Sequence, residues 1–297
     1  MLVRTMRNIL ANSLLPSVCV SESQDTMRIR QRSSGKLLEK ISIAQTDRIR
    51  HLKLSGRFNG IDMAFIRKMK GLETLDMEEA YITGSPSSDM DRQYFPSERG
   101  HIPPAAFRKM TSLRTVILPT STVQIDERAF DGCTSLTDVR LSPGLRTIGY
   151  AAFRNTALQK LSLPGSIILL EEQAFTGCRQ LKELTLESGK QGMEWKGGMA
   201  FALCPIEELD LQRNLKYDDY CELENPSTLK RLRVGKHITA INISLGTNIE
   251  EIVCLCKKAP HLAYRINAGC TVKVPARCYE AYWLHPVWGK LNLQRLG

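Results

Sequence analysis

The chemistry-bearing side chains worth testing first are the nine cysteines: Cys19, Cys133, Cys178, Cys204, Cys221, Cys254, Cys256, Cys270 and Cys278. Three of them recur in one phrase, AFDGCTSL from Ala129, AFTGCRQL from Ala174 and AFALCPI from Ala200, while AFRNTAL from Ala152 carries Thr156 in the same slot. A slot that accepts threonine does not demand a thiolate, and a buried free cysteine behaves as a small apolar group. Cys133 and Cys178 are two phrases apart with Thr156 between them. A disulfide needs Cα atoms within about 7 Å, so that pair is not expected to bridge. Cys254-x-Cys256 followed by Cys270 and Cys278 supplies four thiols that could surround a zinc ion. Structural zinc ligands usually come in pairs two to four residues apart, and the gaps here do not fit. Buried thiols or a disulfide within the C-terminal segment both remain open for these four.

Other catalytic constellations are missing. The five histidines form no H-E-x-x-H pair, and the chain has neither a G-x-S-x-G elbow nor a phosphate-cradling glycine loop. Glu171-Glu172, Glu207-Glu208 and Asp218-Asp219 are adjacent carboxylates. Such pairs do acid–base work only in a cleft that shifts a pKa; on a rim they are solvated charge. Asn242-Ile243-Ser244 is a glycosylation sequon by pattern, meaningful in a eukaryotic source. The expectation is therefore a protein with no enzymatic activity, no metal and no cofactor.

The net charge of +10 is concentrated at one end: residues 1–70 hold 14 Lys/Arg against 5 Asp/Glu, and residues 71–297 hold 27 against 26. No aromatic residue lies between Arg28, Arg30 and Arg32 to stack on a base, which argues against nucleic acid. No run approaches the roughly 20 apolar residues of a membrane-spanning helix. The opening MLVRTMRNILANSLLPSVCV has the outline of an export signal, with Arg4 and Arg7 ahead of an apolar stretch that Asn8, Asn12, Ser13 and Pro16 interrupt. Export signal and disordered lead-in both fit residues 1–35.

The elements that position these residues follow from a repeat. L-x-x-L-x-L, with other apolar residues allowed, starts at Leu38, Ile49 and Leu72, and from Leu113 onward its starts are 23, 22, 23, 25, 23 and 20 residues apart. One such turn cannot bury its own apolar edge, so neighbouring turns must stack on a shared core. The second and third apolar positions alternate with polar ones as in a strand, which predicts a parallel sheet along one side. Phe107, Phe130, Phe153, Phe175 and Phe201 recur on the other side, predicted as short helices or turns with the ring in the core.

The phrase AF-x-G-C-x-x-L-x-x-V-x-L, with proline just after it, resembles the BspA-like leucine-rich repeat family, as does the I-G-x-x-A-F element at Ile148, Gly149, Ala152 and Phe153. The stretch from His51 to Met77 and the end CTVKVPARCYEAYWLHPVWGKLNL look like that family's opening and closing segments, so the resemblance covers residues 36–297. It implies a right-handed α/β solenoid, export to the cell surface or medium, and protein or glycan binding without catalysis. The expected organisation is an N-terminal cap with first repeats over 36–83, a loop insertion over 84–101, a repeat array over 102–254 and a C-terminal cap over 255–297.

Strand geometry names the outward residues, those flanking the second apolar position of each run. They include Asp138, Arg140, Lys160, Glu183, Glu208, Asp210, Arg231 and Arg233. The inserted residues 187–198, ESGKQGMEWKGG, are expected to expose Trp195 in a glycine-bounded bulge as an anchor beside this platform. The expected function is recognition of a protein or glycan by a monomer, as in surface adhesion or host interaction; the alternative is a structural spacer that displays another segment.

Overall fold

The computed structural model describes residues 18–19, 25–85, 97–197, 199–216, 226–267 and 269–296. The export-signal question therefore lies almost wholly outside the described residues, as do most of the expected loop insertion and the Asp218-Asp219 pair. The described chain is a stack of turns. Each contributes one strand to a long parallel sheet, from Thr26–Gln31, His51–Phe58, Thr74–Ile82, Thr115–Ile117 and Asp138–Arg140 to a second block beginning at Lys160–Leu163. That block continues through Glu183–Leu186, Glu208–Leu211, Arg231–Val234, Glu251–Cys254 and Thr271–Pro275 to Asn292–Leu296. Along each strand the leucines of the repeat point into the core; Leu184, Leu209, Leu232 and Ile252 are all nearly sealed from water.

One expectation changes at the N-terminal end. Residues 25–35 are not a lead-in, because Thr26–Gln31 pairs in parallel with His51–Gly56 and buries Met27 and Ile29. The alternation there was masked by the arginines between the apolar positions, and the short Val18–Cys19 strand covers its outer edge in antiparallel pairing. A helix spans Gly60–Ile66 and is capped by Asn59, whose side chain accepts from the Ile61 and Asp62 amides. Asp62 itself is buried and accepts from Gln31 Nε2 at 3.1 Å and from the amides of Gly35, Leu37 and Asn59 at 2.7, 2.9 and 3.0 Å. One carboxylate thus fastens the first turn to the helix of the second.

Opposite the sheet runs a second, narrower parallel ladder that the periodicity did not announce. It comprises His101–Ile102, Gln124–Ile125, Thr147–Ile148, Leu169–Leu170, Met193–Trp195 and Leu215–Lys216. Five or six residues after each of its first five members comes the phenylalanine. The five rings stack at 5.0–5.2 Å between successive centroids. Full burial of each ring contributes about 1.5–3 kcal/mol, and offset stacking about 0.5–1.5 kcal/mol more per pair.

The AF phrase forms turns whose amides alternate between two jobs. The amides of Ala105, Phe107 and Lys109 bond to carbonyls of Glu127, Ala129 and Asp131 in the next turn, while those of Ala106, Arg108 and Met110 bond back three residues. The same division repeats at Arg128, Phe130 and Gly132, which reach Tyr150, Ala152 and Arg154. An α-helix would send every amide back four residues and leave none for the neighbouring turn. The alternation needs a left-handed residue two places before and two places after each phenylalanine: Ala105, Arg128, Ala151, Gln173 and Met199 before, Lys109, Gly132, Asn155, Gly177 and Leu203 after.

At the C-terminal end, Thr271–Pro275, the helix Tyr279–Trp283 and Trp288 close the core. Trp288 is fully buried, donates Nε1 to the Pro260 carbonyl at 2.9 Å and meets Tyr282 edge-on at 5.4 Å. The sheet runs into this segment without interruption, Glu251 pairing with Thr271.

The left-handed positions make a signed stability test. Gly132 has φ +73°, so Gly132→Ala should cost about 1–2 kcal/mol. Leu203, half-exposed at φ +60°, carries that strain already, and Leu203→Gly should raise stability by up to about 1 kcal/mol. Urea unfolding of the two variants checks both signs; a Leu203→Gly protein less stable than the parent would contradict this account.

Candidate recognition surface

The sheet face is built by register. Lys160, Glu183, Glu208, Arg231 and Glu251 stand side by side in one column, and Ser162, Thr185, Asp210, Arg233 and Val253 in the next. Asp138 and Arg140 occupy the matching columns of the first block beside Thr115 and Ile117. Arg28 and Lys53 lie in that second column too, so the N-terminal basic run is partly sheet face, which its sequence position did not suggest.

Residues adjacent in a column are one strand apart, about 4.8 Å, and opposite charges at that distance pair. Lys160 Nζ lies 2.7 Å from Glu183, Arg231 pairs with Glu208, and Arg233 Nε lies 3.9 Å from Asp210. Lys273 reaches Glu251 at 3.0 Å, Arg140 reaches Glu78 at 3.3 Å, and Lys53 lies 3.3 Å from both Asp76 and Glu79. Acidic Glu183, Glu208 and Asp210 are therefore paired with cations of neighbouring strands. Just outside these columns Glu207 sits between Lys182 at 2.8 Å and Lys230 at 3.0 Å, which hold its carboxyl well below the usual carboxylate range. The second block curves around an open concavity of about 310 Å³, with Glu183, Glu208, Asp210, Arg231, Arg233 and Glu251 among its lining residues.

Trp195 is not on this surface. It is 2% exposed, occupies the position of Leu170 in the second ladder and meets Phe201 edge-on at 5.2 Å. The inserted residues lengthen the loop ahead of Met193–Trp195 and leave that strand in place. Inside the loop Arg213 lies buried, donating Nη2 to the Gln191 carbonyl at 2.6 Å. The signal that could have located Trp195 is the apolar residue preceding each phenylalanine by five, as at Ile102, Ile125, Ile148 and Leu170; one extra residue before Phe201 disguised it.

The seven cysteines whose side chains are described are free and buried. Cys133, Cys178 and Cys204 donate Sγ–H to the carbonyls of Phe107, Phe153 and Phe175 in the preceding turns at 3.1, 3.3 and 3.1 Å. Burial pushes the Cys133 thiol up to about 12 and the Cys270 thiol up to about 11. Of the C-terminal four, Cys254 and Cys256 lie within hydrogen-bond reach of each other, Cys254 also faces the Tyr282 hydroxyl at 3.2 Å, and Cys256 contacts the Gly235 and Ile238 carbonyls. Among the described residues no cluster of His, Cys, Asp or Glu could hold a metal ion, and no helix is long and apolar enough to cross a membrane.

Residues 100–230 and 163–258 match the profile of the BspA type leucine rich repeat region, in six copies, spanning more than half of the chain. The chain belongs to the BspA-type leucine-rich repeat family. Among solved structures it is similar to a T. pallidum leucine-rich repeat protein, with 26% identity over 56% of this chain and 68% of that one, at a TM-score of 0.37. A leucine-rich repeat protein from Bacteroides ovatus is 13% identical over 84% of this chain and 79% of its own, with a TM-score of 0.36. A leucine rich cell surface protein from Faecalibacterium prausnitzii is 14% identical over 94% and 92%, with a TM-score of 0.33. Curated proteins give no match.

Two outcomes follow for the BspA-type wall. At most Cys19 and Cys221, of the nine thiols, should react with a thiol reagent in the native protein, and all nine in denaturant; fast native labelling of a third would contradict the buried thiols. Trp195→Ala should lower stability by about 3–5 kcal/mol, the cost of emptying a buried aromatic site, whereas an exposed anchor would lose almost nothing on thermal unfolding.

Proposed function

We propose that this BspA-type solenoid is a non-catalytic binding protein whose concave sheet face recognises a protein or a glycan, as a surface or exported molecule engaged in adhesion or host contact. The observation that carries this reading is the concavity lined by Glu183, Glu208, Asp210, Arg231, Arg233 and Glu251, which offers both signs of charge at fixed spacing. Exposed ion pairs are worth only about 0–1 kcal/mol each, so a partner of complementary charge exchanges them at small cost. Charge complementarity of this kind sets orientation and on-rate more than affinity. A cell-surface location accords with the family. The spacer reading accords with the same ion pairs, since a face whose charges satisfy one another needs no ligand.

Screening the intact chain against immobilised glycans and extracellular-matrix proteins, alongside Arg231→Glu/Arg233→Glu, separates the two. Both arginines are exposed, so the variant should fold with an unchanged melting temperature and lose at least about tenfold in affinity, as expected when two cationic contacts become repulsive. A ligand bound equally well by the folded variant would remove the sheet face from recognition, and no ligand for either protein would favour the spacer.

A further inference from the structure

Beyond the sheet, the rim at the C-terminal end of the array carries a different kind of charge. Val234 and Cys254 are in register, and Val253 with Lys273 extends that register to Val274. Three residues past these positions stand His237, Lys257 and Arg277, one per turn, so the turn spacing of about 4.8 Å sets them in a row ~10 Å long. Lys236 and Lys258 flank the row, and all five side chains are exposed. Together with Thr239 they line an open groove of about 580 Å³ in which no carboxylate takes part among the described residues. Lys160, Arg231, Arg233 and Lys273 of the sheet face have carboxylates beside them; none of Lys236, Lys257, Lys258 and Arg277 is ion-paired among the described residues.

The scaffold under the row is fixed. Cys256 Sγ donates to the Gly235 carbonyl at 3.1 Å and the Ile238 carbonyl at 3.3 Å, tying adjacent loops together. Tyr282 from the closing helix donates to the Cys256 and Lys258 carbonyls at 3.2 and 3.3 Å. Lys257 and Arg277, one turn apart with Lys236 and Lys258 beside them, are like charges that repel one another, and an anion with repeated charges relieves that repulsion along the row.

We propose that this rim groove binds a linear sulfated polysaccharide laid across the turns, with Lys257 and Arg277 at its centre. Sulfate esters keep their charge at all physiological pH values and are spaced along a hydroxyl-rich chain, which suits ammonium point charges beside the Thr239 hydroxyl. Among the described residues no Phe, Tyr or Trp lines the groove to stack on a base, which argues against a single-stranded nucleic acid site. Its apolar members, Ile238 and Leu255, are buried or half-buried and offer nothing to enter a lipid surface. The site is separate from the sheet face, so its fate does not depend on the reading given for that face.

The test is binding of the full chain to heparin as the sulfated probe, against chemically desulfated heparin, polyphosphate and single-stranded DNA of matched charge. The variants are Lys257→Glu/Arg277→Glu and, as a control with the same charge change at exposed cations away from both charged surfaces, Arg179→Glu/Lys190→Glu. The expected result is salt-sensitive binding to heparin that weakens by about tenfold or more in the rim variant, as two charge contacts are reversed. Binding is retained by the control and absent for the desulfated chain. Equal weakening in both variants, or undiminished binding by a rim variant with the parental melting temperature, overturns the proposal. Tighter binding of polyphosphate or DNA than of heparin at equal salt overturns the assignment to a sulfated glycan.

Discussion

Every turn of this chain leaves an apolar edge and a row of backbone amides that it cannot satisfy alone, and the stacking of one turn on the next resolves both at once. The phenylalanine column is the clearest case. Each ring is covered by the ring of the following turn, and the amide of the same residue bonds to the carbonyl of the alanine before the next phenylalanine, as from Phe130 to Ala152 and from Phe153 to Ala174. Packing and hydrogen bonding therefore demand the same translation between turns. That shared demand holds the sheet face in register where its own ladder is interrupted between Asp138–Arg140 and Lys160–Leu163. Across that gap the second ladder continues from Thr147–Ile148 to Leu169–Leu170, and the ring stack continues with it.

The constraint also decides what the polar groups inside the wall do. Cysteine fits the slot three residues after each phenylalanine because it is small, apolar in bulk and still able to donate weakly to the phenylalanine carbonyl of the preceding turn. Thr156 fills the same slot and meets the Cys178 sulfur at 3.1 Å. Asp131 is handled differently, lying one place after Phe130 with Arg108 and Arg154 from the turns on either side at 3.0 and 2.9 Å. A buried carboxylate is tolerable there because the stack brings a guanidinium from each neighbour. Asp62 is the same solution at the N-terminal end, with backbone amides in place of guanidinium groups.

The leucine spacing was legible because turn length is dictated by geometry, and the outward columns followed from strand alternation. Less local features were not. The left-handed positions around each phenylalanine are glycine only at Gly132 and Gly177, so Ala105, Arg128 or Gln173 gave no hint of the backbone they adopt. Trp195 was misplaced because glycine neighbours and an insertion suggest exposure, while the residue's actual environment is set by a ladder partner, Leu170, 25 positions earlier. The residues of the charge pattern were readable, but their pairing was not, since Glu208 chooses Arg231 through register across two turns. Past Leu211 the AF phrase fades, and with it the alignment that would have placed Lys257 over Arg277.

Two kinds of charged surface thus rest on one scaffold, and the difference between them is compensation. On the sheet face Lys160, Arg231, Arg233 and Lys273 each have a carboxylate on a neighbouring strand, so the net field is small. On the C-terminal rim the cations share a row with no carboxylate among its described lining residues, so attraction is governed by total charge and reaches further into solution. At physiological ionic strength screening acts over roughly 8 Å, longer than the spacing within either surface but shorter than the array. The rim can therefore act on a polyanion as a unit, while each sheet-face pair acts almost alone, and a solenoid whose register is fixed by its phenylalanine column keeps both arrangements at once.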